Sequence, residues 1–301
     1  MNFFFPFILS FLVSAALIPV VRKAAERYKL FDEFQGDSLK IHTRKISFLG
    51  GAAIAAGALV ALAFFAPQDT RLVAVFSSSL LVFGLGLYDD LKWKRTSSSR
   101  PLLKLFSLLL VPAAVALILS FGAVFALFLA PLVFLYIFAF MNALNYQDGM
   151  DGLAGTLSAL SFAGFAVAGL VLSNPFAFVL SLALLGAVLG FLFFNFPPAK
   201  IFMGDSGAYF LGFCLAVLAL LFSDFNAIQG VLGPVFLMGV PLFEGIFTNI
   251  RRVVQGASIL RGDRRHVYDN LLQNGYSVRM VLFLFATAQV LSVILGLWLL
   301  H

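Results

Sequence analysis

The chain has 301 residues, of which 61% are hydrophobic and 11% are charged, with a mean hydropathy of +1.01. This composition excludes an ordinary soluble domain, and the length allows about ten membrane spans with no separate soluble domain. The net charge of +6 indicates loops at an anionic membrane surface, and we expect no nucleic-acid partner. The single cysteine, Cys214, excludes an internal disulfide and lies among apolar packing residues.

The first apolar run, residues 3–21, has no basic residue before it and Arg22-Lys23 after it. A cleaved signal peptide has the opposite charge arrangement. We therefore predict a retained first helix whose N-terminus lies on the outer side.

Apolar runs along the chain predict an all-α polytopic membrane protein with about ten transmembrane helices and both termini on the outer side. The predicted spans are 3–22, 47–66, 71–88, 102–120, 122–141, 153–172, 175–194, 206–222, 229–250 and 278–300. Residues 1–301 are interpreted as one integral membrane domain. Its inner connections are 23–46, 89–101, 142–152, 195–205 and 251–277.

The charged residues support this threading because they were not used to place the spans. Nineteen of the twenty basic residues fall at inner connections or inner helix ends, and only Arg71 lies outside. Eleven of the fourteen acids are also on the inner side. The positive-inside rule then places the chemistry at the cytoplasmic face of the cell inner membrane.

The first two connections combine basic residues with features that suit phosphate. Lys40, His42 and Lys45 precede a Gly-Gly pair at the start of the second helix. They could bind lipid headgroups or form a phosphate clamp, because glycines allow close backbone approach at a helix N-terminus. Asp89-Asp90 stands before a cationic cluster and is interpreted either as a helix-end charge pair or as a site for a phosphate and its counter-ion.

The third connection, residues 142–152, contains Asn145, Asp148 and Asp151 at intervals of three and has no basic residue. If it forms the first turn of the sixth helix, the three groups share one face. Uncompensated carboxylates beside a bilayer call for an external cation, and oxygen ligands favour Mg²⁺, with Mn²⁺ as an alternative. A helix cap with loose acids is the plainer interpretation.

The fourth connection runs from Asn195 to Gly207. Asp205 or Ser206 can cap the eighth helix, whereas Gly204 also leaves a carboxylate beside backbone that is open to a phosphate oxygen. Asn195 and Gly204 are therefore predicted to bind substrate.

The fifth connection combines arginines with Asp263, His266 and Asp269. A headgroup-binding surface would need only the arginines. A diphosphate site would use Arg264 for bidentate contact together with His266. Glu244, the one acid well inside a span, is either functional or a partner for a cytoplasmic arginine about 10 Å away along the helix.

Taken together, the five connections resemble those of the polyprenyl-phosphate N-acetylhexosamine-1-phosphate transferases. The resemblance covers nearly the whole chain in order, and its most specific parts are Asp89-Asp90, 142–154 and 195–207. It implies ten helices and transfer of a sugar 1-phosphate from a UDP-sugar to polyprenyl phosphate, with release of UMP and Mg²⁺ as cofactor. The product would initiate a cell-envelope glycan such as lipopolysaccharide, peptidoglycan or teichoic acid.

The resemblance also implies residue roles. Asp205 is the expected Mg²⁺ ligand, and Asp89 is the acid expected to orient or deprotonate the lipid phosphate. Asp90 is predicted to be catalytic and, with Asn145, Asp148 and Asp151, to belong to the nucleotide and metal site. His266 is the expected histidine on the diphosphate side. Membrane lipids and the two substrates are the expected partners, and a homodimer is compatible with the sequence.

Three positions depart from the family pattern. Ser47 stands where a Pro commonly precedes the Gly-Gly pair, Glu244 replaces the usual Asp of the ninth helix, and His266-Val267-Tyr268-Asp269 replaces His-x-His-His. These departures argue against the pentapeptide translocase branch and leave the sugar open. Two other classes of membrane protein share some of these features. A secondary transporter would carry its polar groups near the midplane on broken helices, and a non-catalytic lipid-binding protein would tolerate degenerate loops.

Overall fold

The computed structural model describes residues 4–32, 45–67, 70–93, 123–257 and 265–301. These residues form an all-α protein with one short antiparallel strand pair, β1 (Phe31–Asp32) with β2 (Ile46–Ser47). The helices are α1 (Phe5–Tyr28), α2 (Gly50–Phe65), α3 (Thr70–Tyr88), α4 (Ala123–Gln147), α5 (Leu153–Val171), α6 (Pro175–Asn195), α7 (Gly204–Phe222), α8 (Ile228–Phe236), α9 (Gly239–Val254), α10 (Val267–Gln273) and α11 (Val278–Leu300). A π turn, Asp89–Trp93, extends α3.

Six helices in the described ranges are long and apolar enough to cross a membrane, and the bent pair α8 and α9 can supply a seventh span. The chain is therefore a multi-pass membrane protein, as the hydropathy predicted. The 16-residue α2 is apolar but shorter. The predicted span 102–120 lies outside the described residues.

Helix α7 is the centre of the bundle. It is the most enclosed of the candidate spans, with 83% of the residues in its 18-residue apolar stretch buried. It packs against α2, α3 and α4. Beside it, α6 packs against α1, α2 and α5, and α1 packs against α2, while α11 lies against α5 and α8. Small residues permit these contacts: a Cβ on Gly212 of α7 would lie 2.6 Å from the Met141 Cα of α4.

The predicted span 229–250 is not one continuous helix, because the chain breaks between α8 and α9 and turns by 92°. The break lies at Leu237 and Met238, between Pro234 and Pro241. Buried Gln289 of α11 satisfies the interrupted backbone by donating to the Leu237 carbonyl (2.9 Å) and accepting from the Val240 N–H (3.0 Å). Irregular backbone at membrane depth requires such internal partners.

The third connection also differs from its prediction. Helix α4 continues to Gln147, so Asn145 lies in its last turn and not in the first turn of the following helix. Asp148 and Asp151 occupy the turn between α4 and α5, and Gly152 precedes α5 with φ of +75°. The three polar residues therefore do not share one helical face. The preceding apolar run was long enough to extend the helix by about one and a half turns beyond the predicted end.

Candidate active site

The N-terminus of α7 is capped by a carboxylate from another helix. Asp90, in the π turn that extends α3, accepts from the backbone N–H of Asp205 (3.0 Å, Oδ1) and from that of Ser206 (2.9 Å, Oδ2). The prediction that Asp205 or Ser206 caps this helix is wrong, since neither side chain fills that position. A buried carboxylate is favoured here because the first-turn N–H groups and the helix dipole both stabilise negative charge.

Gly204 allows the chain to enter α7 in this geometry. Its φ is +77°, and a Cβ at this position would collide with the Phe48 carbonyl oxygen and lie 2.8 Å from Asp90 Oδ2. Its N–H donates to Asp148 Oδ2 over 3.2 Å. The structure therefore gives Gly204 a backbone role at the point where the predicted site residues meet.

The side chain of Asp205 points to α4. Its Oδ1 accepts from Asn145 Nδ2 over 3.0 Å. Both residues and Asp148 are half-buried, whereas Asp90 is fully buried and Asp89 is 4% exposed. Asn145, Asp148 and Asp205 are partly exposed, so a ligand can reach their side chains. Asp90 is buried and affects the site by holding the backbone of Asp205 and Ser206.

Two further predicted residues join the third and fourth connections. Asn195 Oδ1 accepts from the Gly152 N–H (3.0 Å), and its Nδ2 donates to the Ile201 carbonyl (2.8 Å). Asp151 Oδ2 accepts from the Ala199 N–H (2.9 Å). Both polar atoms of the buried Asn195 amide are thus hydrogen-bonded within the protein, so this side chain holds the third and fourth connections together.

The first connection approaches the same end of the bundle. The Phe202 N–H donates to the Ser47 carbonyl over 2.7 Å, and the N–H groups of Gly50 and Gly51 donate to carbonyls at 202 and 203. Lys45 is exposed immediately before β2. The other predicted phosphate-binding residues, Lys40, His42 and Arg264, lie outside the described residues.

The fifth connection brings His266 to α9. His266 Nδ1 lies 3.2 Å from Glu244 Oε1 and 3.2 Å from Thr248 Oγ1, and Glu244 Oε1 also accepts from the Val267 N–H over 2.9 Å. Within the described ranges these are the partners of the Glu244 carboxylate. The interpretation of Glu244 as a partner for an arginine is therefore wrong.

Tyr146 links the two groups of residues and was not predicted as a site residue. Its ring lies 5.4 Å from that of His266, and the Arg252 guanidinium lies over it at 5.1 Å. Its hydroxyl donates to Asn249 Oδ1 over 3.2 Å. The only signal in the sequence was its place within the acidic motif, directly after Asn145.

Tyr268 and Asp269, which replace the usual histidines, have packing and capping partners. The Tyr268 ring stacks on His266 at 5.3 Å with an interplanar angle of 3°, and its hydroxyl donates to the Tyr146 carbonyl over 3.0 Å. Asp269 Oδ2 accepts from the His266 N–H over 3.2 Å at the start of α10. His266 is the one histidine of this connection.

The donor chemistry of the site suits a hard divalent cation. The half-buried groups around Asp205 offer carboxylate and carboxamide oxygens. Among the residues that the structure describes, no three His, Cys, Asp or Glu side chains form a closed metal cage. Mg²⁺ is compatible with this arrangement because it commonly binds one or two carboxylates, keeps several waters and takes further ligands from substrate phosphates.

The site residues lie within a recognised sequence family. The profile described as glycosyl transferase family 4 matches residues 72–223, a range that contains Asp89-Asp90, the acidic motif and Asp205. This chain belongs to glycosyl transferase family 4. The family resemblance predicted from the five connections is confirmed.

Named relatives agree with this membership. A probable undecaprenyl-phosphate N-acetylglucosaminyl 1-phosphate transferase of Bacillus subtilis (strain 168) is 33% identical, over 91% of this chain and 78% of the relative. A decaprenyl-phosphate N-acetylglucosaminephosphotransferase of Mycobacterium tuberculosis (strain ATCC 25618 / H37Rv) is 33% identical, over 79% and 66%. A phospho-N-acetylmuramoyl-pentapeptide-transferase of Halalkalibacterium halodurans is 29% identical, over 97% and 95%. Membership of this transferase family favours an enzyme over a secondary transporter.

Proposed function

We propose that this member of glycosyl transferase family 4 transfers an N-acetylhexosamine 1-phosphate from a UDP-sugar to a polyprenyl phosphate, and that N-acetylglucosamine is the sugar. An oxygen of the lipid phosphate would attack the β-phosphorus of the UDP-sugar. The bond from that phosphorus to the oxygen shared with the α-phosphate would break, releasing UMP. The relatives named for N-acetylglucosamine support the choice of sugar.

The observation that carries the proposal is the placement of Asp205. Asp90 fixes the backbone of Asp205 and Ser206, and Asn145 holds the Asp205 carboxylate from α4. Phosphoryl transfer depends on positioning and charge neutralisation more than on covalent chemistry. A carboxylate held from two directions, half-buried beside Asp148, suits that requirement.

Asp205, with Asn145 and Asp148 beside it, is the group of residues that would hold Mg²⁺ or Mn²⁺. When bound, the cation would neutralise phosphate charge during the transfer. Asp89 would orient or deprotonate the lipid phosphate, and His266, at the start of α10, would contact the phosphates. Lys40, His42, Lys45 and Arg264 would add positive charge at the same face.

The membrane arrangement is part of the proposal. It has ten spans, for which the apolar runs of the sequence are the support, with both termini outside and the active site on the cytoplasmic face of the inner membrane, for which the distribution of basic residues is the support. Hydrogen bonds join residues 46–51, 89–93 and 145–152 to residues 195–206, and residues 266–269 to Tyr146. These contacts support one composite site at this end of the bundle.

The test is UMP release by the purified protein in detergent with undecaprenyl phosphate, Mg²⁺ and a panel of UDP-sugars. UDP-N-acetylglucosamine should give release, and omission of undecaprenyl phosphate should abolish it. Release with UDP-N-acetylmuramoyl-pentapeptide alone would overturn the choice of sugar. If a folded preparation releases no UMP with any UDP-sugar of the panel, the transferase proposal is overturned and a non-catalytic lipid-binding protein is favoured.

A further inference from the structure

His266 is held at one ring nitrogen and open at the other. Nδ1 is within 3.2 Å of both Glu244 Oε1 and Thr248 Oγ1. In the part of the chain that the structure describes, Nε2 makes no hydrogen bond. The two α9 residues are four positions apart, so they lie on the same face of the helix and meet the ring together.

The chemistry of Glu244 fixes the direction of this contact. An ionised carboxylate only accepts hydrogen bonds, so we infer the tautomer in which Nδ1 carries a proton and donates to Glu244. Oε1 also accepts from the Val267 N–H, which ties the backbone next to His266 to the same atom. Glu244 is 2% exposed, and a buried carboxylate requires a hydrogen-bonding or cationic partner.

The remaining contacts restrict the plane of the ring. Tyr268 stacks parallel to it, and Tyr146 lies against it at an interplanar angle of 38°. Nε2 lies on the far side of the imidazole from Nδ1 and is therefore directed away from α9. Tyr146 follows Asn145, whose amide holds Asp205, so the last turn of α4 contacts both the His266 ring and the proposed transfer site.

We propose that Glu244 is a positioning residue for His266, with Thr248 as its second support. Glu244 accepts from Nδ1–H and so leaves Nε2 to face the substrate. The Nε2–H of the protonated ring then donates a hydrogen bond to a phosphate oxygen. This inference rests on the proposed transferase function. The phosphate belongs either to the UDP-sugar or to the lipid acceptor, which share this chemistry.

The test compares two buried carboxylates that both contact residue 266. Glu244→Gln removes the charge beside the ring but keeps an oxygen acceptor for the Val267 N–H. Asp269→Asn makes the same change at the carboxylate that accepts from the His266 backbone N–H. Glu244→Gln should lower kcat/KM by about 100-fold, as expected for loss of orientation at a reacting group. Asp269→Asn should leave it little changed.

A double-mutant cycle separates positioning from a structural role. If Glu244 acts through His266, the Glu244→Gln/His266→Asn protein should be no slower than His266→Asn alone. Losses that multiply would overturn the proposal, as would equal losses in Glu244→Gln and Asp269→Asn. The substrate whose KM rises with His266→Asn identifies the phosphate that is bound. Thr248→Val gives a second cycle if Glu244→Gln does not fold.

A spectroscopic measurement keeps this inference separate from the transferase proposal. Nitrogen NMR of protein labelled at its three histidines should show a protonated Nδ1 for His266, assigned by its loss in His266→Asn. Glu244→Gln should change that signal and Asp269→Asn should not. An unprotonated Nδ1 in the unsubstituted protein would overturn the inference even if UMP is released. A protonated Nδ1 without UMP release would retain the contact and reject the transferase proposal.

Discussion

Asp90 holds Asp205 by its backbone and not by its side chain. The carboxylate of Asp90 accepts from the N–H groups of Asp205 and Ser206, which leaves the Asp205 carboxylate to meet Asn145 from α4. The two acids are 115 positions apart in the chain. One of them therefore builds the helix end from which the other acts, and substitutions of the two should have different consequences.

Replacing Asp90 should affect both stability and turnover. Asp90→Ala removes the cap of α7 and should lower the free energy of unfolding by about 1–2 kcal/mol, with loss of UMP release because Asp205 is displaced. Asn174→Ala is the matched control, since its side chain caps α6 through the Ala177 N–H on the other side of the bundle. That control should lose about 1 kcal/mol and retain turnover. Equal turnover in both variants would contradict a positioning role for Asp90.

Asp205→Asn should reduce turnover without reducing stability. The substitution preserves the size of the side chain, so thermal unfolding in detergent should change little, while UMP release should fall by at least about 100-fold. Chelation of divalent cations should abolish UMP release by the unsubstituted protein, and added Mg²⁺ should restore it. Asp224→Asn, just beyond the other end of α7, is the control for loss of one carboxylate. Near-normal turnover of Asp205→Asn would remove Asp205 from the metal-binding role.

Two glycines of α3 provide a test of the close contact between α3 and α7. A Cβ on Gly86 would lie 2.5 Å from the Ser206 Cα, whereas a Cβ on Gly84 would have nothing within 4 Å. Gly86→Ala should push the first turn of α7 away from Asp90, destabilise the protein by about 1–3 kcal/mol and reduce turnover.

Gly84→Ala makes the same chemical change in the same helix without the collision. It should leave turnover unchanged and stabilise the helix by up to about 1 kcal/mol. Indistinguishable melting temperatures and UMP release rates for the two variants would show that α3 and α7 do not depend on this contact.

The sequence predicted the spans well where apolar runs are bounded by polar residues. The predicted span 278–300 coincides with α11, and 175–194 ends one residue before α6 does. The break between α8 and α9 could not be placed from local sequence. Its free backbone groups are satisfied by Gln289, about 50 positions away.

The site was predictable as a set of residues but not as a set of contacts. Alternation of spans placed Asp90, Asn145 and Asp205 on one side because helix ends alternate between membrane faces. Hydrogen-bond geometry between residues 60 or 115 positions apart depends on helix packing that periodicity does not encode. For the same reason Tyr146 and Thr248 could not be recognised as contacts of His266.

Gln289 should be important for stability because it hydrogen-bonds the backbone groups that the break between α8 and α9 leaves without helical partners. Gln289→Met leaves the Leu237 carbonyl and the Val240 N–H without their partner, and each unsatisfied buried group costs about 1–3 kcal/mol. Thermal or denaturant unfolding in detergent should show the loss. Gln273→Met, at an exposed position of α10, is the control and should change little. A Gln289→Met protein as stable as the original would mean that the break has other partners.

Gln147 should respond to the same substitution with the opposite sign. Like Gln289 it is fully buried, but among the described residues neither Nε2 nor Oε1 of Gln147 has a hydrogen-bond partner. Methionine has a similar length and no polar atoms to desolvate, so Gln147→Met should raise the free energy of unfolding by about 1–2 kcal/mol. Turnover should persist, since the contacts of Asn145 and Asp148 do not involve this side chain. A loss of stability would instead indicate that the amide has a bound water as its partner, and a loss of turnover alone would assign it to the substrate.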